Sequence, residues 1–215
     1  MRTSDPSIYA IGDVVDVPNL VTGNAMSAAL AGPANKQGRV VANNICGIEE
    51  TYKGTLATAA AKIFDKNIGS TGLSEKMLKT MNVPYKAIHL HPTSHASYYP
   101  GAEPISMKVL FNPETEEIYG AQAVGGEGVD KRIDVIATAI TAGMKVTALK
   151  DLDLAYAPPF SSAKDPVNMV GFIAENILKG LVRTVSWSEM QELSSKGAYV
   201  LDIREEPEVV LEYLP

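Results

Sequence analysis

Apolar and polar positions fall into two rhythms along this chain. Val129, Ile133, Ile136, Ala137 and Ile140 recur at helical spacing, and Gly143 closes the run. A second helix is predicted after Asp165, a capping residue, with Pro166 in the first helical position. Val167, Val170, Ile173, Ala174 and Ile177 form its face, and Gly180 ends it. Pro33 suits the first turn of an earlier helix whose apolar positions are Val40, Val41 and Ile45, ending at Gly47. A short helical pattern runs from Leu73 to Met81 and starts near Ser74. Ser186 and Glu189 have the S-x-x-E spacing of a capping box, which predicts a helix through about Ser194.

Strands account for the other rhythm. Ile8 to Ile11 reads as a short strand of the buried type, entered by the turn residues Thr3 to Ser7 and followed by a polar loop. Ala59 to Ile68 is an apolar run bounded by Gly69, and Tyr85 to His91 alternates. Ile105 to Phe111 and Ile118 to Val124 form a hairpin around Asn112-Pro113-Glu114-Thr115, and Ala198 to Ile203 reads as a last strand. Strands followed by helices without strict alternation predict an α+β fold with a mainly antiparallel sheet flanked by helices. Three units are expected: 1–47 as the end of a nucleotide-type domain, 48–182 as the main domain, and 183–215 as the start of another. Both ends read as cut, because the first strand lacks a preceding partner and Leu211 to Pro215 stop soon after a new unit begins.

Composition narrows the function classes. The 215 residues are 46% hydrophobic and 20% charged, with a net charge of −6, so a basic nucleic-acid surface is not expected. No apolar stretch has the length of a membrane span, no signal peptide is recognisable, and a cytoplasmic setting is the simplest expectation. A single cysteine, Cys46, excludes an intrachain disulfide framework. Its predicted place at a helix C-terminus disfavours a thiolate and makes it structural.

Candidate chemistry lies elsewhere. Gly12 and Asp13 follow the first apolar run; a glycine lets a cofactor approach the backbone, and a carboxylate accepts hydrogen bonds from sugar-like hydroxyls. The turn Ala31-Gly32-Pro33-Ala34 opens a helix, so it offers free backbone N–H groups at a positive dipole end. His89, His91 and His95 raise a zinc site, but no acid or thiol joins them, and a solvated strand-and-loop edge is the expectation. Tyr98 and Tyr156 lie in proline-bearing loops; from the residues alone, each is a core-edge residue that keeps its hydroxyl wet.

T-S-D-P-S-I-Y-A-I-G-D-V and A-L-A-G-P-A-N-K-Q-G-R together resemble the second flavin-binding segment of the pyridine nucleotide–disulfide oxidoreductases. G-S-T-G-L-S-E (69–75), A-S-Y-Y-P-G-A (96–102) and A-Y-A-P-P-F-S-S-A-K-D-P-V-N (155–168) extend the likeness over nearly the whole chain. It is greatest to the branch holding coenzyme A-disulfide reductases, NADH oxidases and NADH peroxidases. The resemblance implies that Gly12 and Asp13 contact FAD, Asp13 at its ribityl chain, and that Ala31, Gly32, Pro33 and Ala34 lie against the flavin pyrimidine edge. It implies a homodimer in which Tyr98 and Tyr156 reach the other subunit's disulfide site and hydrogen-bond a sulfur-bearing substrate, with Tyr99 competing for the Tyr98 role. The parent enzyme implied passes electrons from NAD(P)H through FAD to coenzyme A disulfide, a persulfide or a polysulfide. Its redox cysteine and G-x-G-x-x-G turns belong to parts outside these 215 residues, so catalysis needs more than this chain. V-S-W-S-E-M and A-Y-V-L-D-I-R-E-E-P-E resemble the start of a rhodanese domain. Two other readings stay open: an NADH oxidase or peroxidase, and a dimerisation module without catalysis.

Overall fold

A computed structural model describes residues 1–205 of the chain. Its centre is one antiparallel sheet of five strands in the order β3-β4-β7-β6-β5: β3 (Ala59–Ile63), β4 (Lys66–Gly72), β5 (Lys86–Leu90), β6 (Ile105–Phe111) and β7 (Ile118–Gly125). The expected α+β class is therefore the observed one. The β6–β7 turn forms where expected because Asn112 Oδ1 accepts hydrogen bonds from the backbone N–H groups of Glu114 and Thr115, at 2.8 and 3.1 Å.

The two faces of the sheet are closed by different helices. On one face, the rows Leu90–Met107–Ala123 and Ile88–Val109–Ala121 pack against α3 (Val129–Thr141) and α4 (Pro166–Leu178). Ile133, Ile136, Val167 and Val170 are buried there, and each contributes roughly 1.5–3 kcal/mol. Gly69 sets how close α3 comes, since a Cβ at that position would stand 2.8 Å from Ile133 Cγ1. On the other face, α2 (Glu75–Thr80) lays Leu78 over Leu110 and Tyr119. Ser74 caps α2 by accepting from Met77 N at 3.3 Å. A 3₁₀ turn at Val146–Asp151 packs under α4, where Asn168 Nδ2 donates to the carbonyls of Leu149 and Leu152 at 3.0 and 2.9 Å.

Before the sheet come β1 (Asp16–Pro18), β2 (Ala25–Ser27) and α1 (Ala31–Ile45); after it comes α5 (Trp187–Ser195). Both halves of the α5 capping box are present, with Glu189 N bonded to Ser186 Oγ and Ser186 N bonded to Glu189 Oε2.

Four expectations need correction. Ala59 to Ile68 is not one strand but a hairpin that turns at Phe64 and Asp65. Phe64 takes φ +54°, a conformation that no turn-forming residue advertises there. Ile8 to Ile11 forms no strand beyond a Tyr9–Arg2 bridge, and Ala198 to Ile203 forms none. The first segment has only the bonds of Ile8 O and Ala10 N to Thr3 N and Met1 O, the second pairs with no strand among the described residues, and Ile8, Ile11 and Ile203 are exposed. The polar loop after Gly12 contains the β1–β2 hairpin, whose turn is tied by buried Asn19 accepting from Val21 N and Thr22 N. The end at Leu211 to Pro215 lies outside the described residues. Among the described residues, no helix is long and apolar enough to cross a membrane.

Candidate functional site

Two loops run side by side: residues 91–104, between β5 and β6, and residues 152–165, between the 3₁₀ turn and α4. Ala96 N donates to Ser161 O at 3.1 Å, joining them directly. The first loop is folded on itself by short polar links. Ser94 N donates to Glu103 O at 2.7 Å, and Ser94 Oγ accepts from Glu103 N at 3.1 Å. His95 Nε2 donates to Pro100 O at 3.3 Å, and its Nδ1 lies 3.1 Å from Ser94 Oγ. His95 is therefore buried in the loop, not on the solvated edge expected from sequence.

This folding sets the loops of the two candidate tyrosines side by side. Tyr98 is 76% exposed and Tyr156 48% exposed. The hydrogen bond with Tyr156 holds the Tyr98 phenol above the usual phenol range, with slight desolvation adding to it. Tyr99 turns instead onto His95, edge to face at 5.8 Å between ring centroids. Tyr99 thus packs within its own loop, while Tyr98 is the phenol that Tyr156 perturbs.

Beneath the loops lies a buried ion pair that sequence reasoning missed. Arg132 of α3 is 1% exposed, and its Nη2 donates to Ser94 O at 3.0 Å and to Ser161 Oγ and Asp165 Oδ2, both at 3.1 Å. Nη1 donates to Gly128 O at 3.1 Å. Asp165 Oδ2 also accepts from Ser161 Oγ at 2.6 Å, while Oδ1 caps α4 by accepting from Val167 N at 2.9 Å. Gly128 makes room for this: its φ is +81°, and a Cβ there would lie 2.1 Å from Arg132 Nη1. A signal was available. Arg132 follows Val129 by three and precedes Ile136 by four, which places a charge on the apolar face of its helix. A cavity of about 520 Å³ opens beside the pair, lined by His95, Glu127, Lys131, Arg132, Tyr156 and Phe160.

The second candidate group is built on α1. Gly12 N donates to Oε1 of buried Gln37 at 2.7 Å, which ties the Gly12–Val14 turn to the helix. Asp13 sits in that turn with its carboxylate exposed. No side chain caps α1: its N-cap is Leu30, and Pro33 brings no N–H. Ala31 and Gly32 therefore present free amides at the positive end of a helix, and a Cβ on Gly32 would meet nothing within 4 Å. Ala34 N takes the first turn's bond, to Leu30 O at 3.2 Å. Donor amides, an accepting carboxylate and open glycine backbone suit the polar edge and hydroxyl chain of a flavin nucleotide.

Cys46 is free and exposed, at the C-cap of α1. His89 and His91 are exposed on their strand and its end, and His91 Nδ1 lies 3.1 Å from Ser106 Oγ. No cluster of metal-ligating side chains occurs among the described residues.

Known proteins place this geometry in context. A family model described as "Pyridine nucleotide-disulphide oxidoreductase, dimerisation domain" matches residues 58–166. The chain is 37% identical over 183 residues to a coenzyme A disulfide reductase of Staphylococcus aureus, covering 81% of this chain and 40% of that protein. It is similar to the crystal structure of reduced Bacillus anthracis CoADR-RHD, with a TM-score of 0.93 and 52% identity, over 97% of this chain and 38% of that one. An NAD-dependent persulfide reductase from A. fulgidus gives a TM-score of 0.85 and 43% identity, over 89% of this chain and 36% of that one. The chain thus spans about 40% of the length of the curated relative it matches.

Proposed function

The chain belongs to the pyridine nucleotide-disulphide oxidoreductase family and carries that family's dimerisation domain, and on that premise we propose that it serves an FAD-dependent NAD(P)H:disulfide reductase. Coenzyme A disulfide, a persulfide or a polysulfide is the substrate, and the working unit is a homodimer in the cytoplasm. Residues 48–182 form the dimerisation domain, 1–47 end the FAD-binding domain, and 183–215 begin a rhodanese domain.

The observation that carries this reading is that the loops bearing Tyr98 and Tyr156 are joined side by side, Ala96 N to Ser161 O, and leave both phenols exposed. Reducing a disulfide takes two electrons and two protons and releases two thiols. FAD, when bound, relays the electrons of NAD(P)H to the sulfur. The phenols do what electrons alone do not: they hold the sulfur-bearing group and meet the departing thiolate with a proton donor. A phenol held above its usual range stays protonated at neutral pH, so Tyr98 is available to donate. Both tyrosines act across the dimer interface, on the other subunit's disulfide site. Gly12, Asp13 and the amides of Ala31 and Gly32 hold the flavin, with Pro33 and Ala34 shaping the first turn against its edge.

The test uses the full-length protein that contains this chain. NADH and NADPH oxidation is followed with coenzyme A disulfide, a glutathione persulfide, oxygen and peroxide as acceptors, beside sedimentation analysis. A yellow dimer that turns over the sulfur acceptors at least tenfold faster than oxygen or peroxide is expected. Turnover of oxygen or peroxide alone would replace the reductase reading with an oxidase or peroxidase. A colourless dimer without turnover would reduce the chain to an interaction module.

A further inference from the structure

Arg132 is an expensive residue to place under two loops. Its guanidinium is out of water, and Nε, also buried, has no hydrogen-bond partner. A hydrophobic residue of similar volume would fill the space without stripping water from a charge. What such a residue cannot do is bind three chain segments at once. The fork of Arg132 reaches the carbonyl of Ser94 in the Tyr98 loop, Ser161 and Asp165 in the Tyr156 loop, and Gly128 at the start of its own helix. Asp165 passes the constraint on by capping α4, and Lys131 Nζ adds a bond to Ala155 O, next to Tyr156, at 3.3 Å. The glycine at 128 leaves the guanidinium its space.

We propose that Arg132, with Asp165, is a positioning residue that sets the register of the two loops that carry Tyr98 and Tyr156. The inference rests on the reading of those phenols as substrate contacts. Arg132 touches neither phenol and acts through Ser94, Ser161 and Asp165.

The 215-residue chain, labelled at tyrosine Cζ, is titrated by carbon NMR as Arg132→Met, Asp165→Asn and parent. Asn keeps a capping oxygen for α4 while removing the charge. In both variants Tyr98 is expected to fall back to an ordinary phenol pKa of about 10, and it is expected to do the same in Tyr156→Phe. Tyr85 supplies the internal control. Its hydroxyl donates to Glu75 Oε1 at 2.7 Å on the other face of the sheet, which lifts its pKa too, and that lift persists wherever the fold does. If Arg132→Met loses the Tyr85 signature through unfolding, Ser161→Ala, which removes a hydroxyl shared by Arg132 and Asp165, gives the same reading with a smaller shift. A Tyr98 titration unchanged in any folded variant overturns the proposal. No substrate enters this titration, so it can fail while the reductase reading stands. Loss of sulfur-acceptor specificity in the full-length assay sinks that reading and leaves the loop register untouched.

Discussion

Substituting Gly128 by alanine isolates how firmly the Arg132 guanidinium is held. Two costs arise together. Alanine must adopt φ near +81°, which costs about 1–2 kcal/mol. Its Cβ would also stand 2.1 Å from Arg132 Nη1, so the guanidinium must leave. A free arginine tip would swing aside at little cost. This one gives up its bond to Gly128 O and strains those to Ser94, Ser161 and Asp165. Breaking a buried pair outright costs about 3–5 kcal/mol, and a displaced but partly paired guanidinium about half of that. Gly143, beyond the other end of α3, separates the two costs: its φ is +68°, and a Cβ there would meet nothing within 4 Å. Gly143→Ala should therefore show the backbone cost alone, about 1 kcal/mol. Gly128→Ala should exceed it by about 1.5–2.5 kcal/mol. Urea unfolding of both variants at one protein concentration gives the difference, since dimer stability depends on concentration. A difference below about 1 kcal/mol would show that the guanidinium moves freely and that the locked ion pair is wrong.

Two further outcomes can be measured on the same chain. The ammonium of Lys108, then Lys79 and the Tyr85 hydroxyl, lower the Glu75 carboxyl to about 2. A depressed acid contributes stability above its unfolded pKa of 4.5 and loses it as pH falls toward about 2. Glu75→Gln should thus cost about 1 kcal/mol at pH 7, and its unfolding midpoint should decline less between pH 4.5 and 2 than the parent's; parallel acid limbs would contradict the contact. Ser186→Ala removes half of the α5 capping box, worth about 1 kcal/mol. Because α5 has no buried residues, faster amide exchange should be confined to 187–195 with no change in the global midpoint, and a fall in that midpoint would mean that α5 supports the main domain.

Local signals made much of the fold legible, and long-range ones hid the rest. α4 could be read because Asp165, Pro166 and Gly180 mark its ends within its own segment. The β6–β7 hairpin could be read because Asn112 organises its own turn. The β3–β4 hairpin could not, since Phe64 carries no turn signal and the reversal shows only in the pairing of the two strands, closed by Ile63 with Lys66. Ile8 to Ile11 and Ala198 to Ile203 erred the other way: extended, apolar sequence makes a strand only where a neighbouring strand exists. Within the candidate site, Tyr98 and Tyr156 were nameable one by one through resemblance. The joining of their loops was not, because it runs through Arg132, a residue whose helix-face position was visible but whose partners were not.

The account stands or falls on the two phenols. In the full-length protein, Tyr98→Phe and Tyr156→Phe should each lower kcat with coenzyme A disulfide by about tenfold or more, in the range that a lost proton donor gives. Electron transfer from NAD(P)H to an artificial acceptor such as ferricyanide should stay unchanged, because that acceptor needs no phenol. Equal loss with both acceptors, or no loss with either, would contradict the assignment of this domain as the donor of substrate contacts.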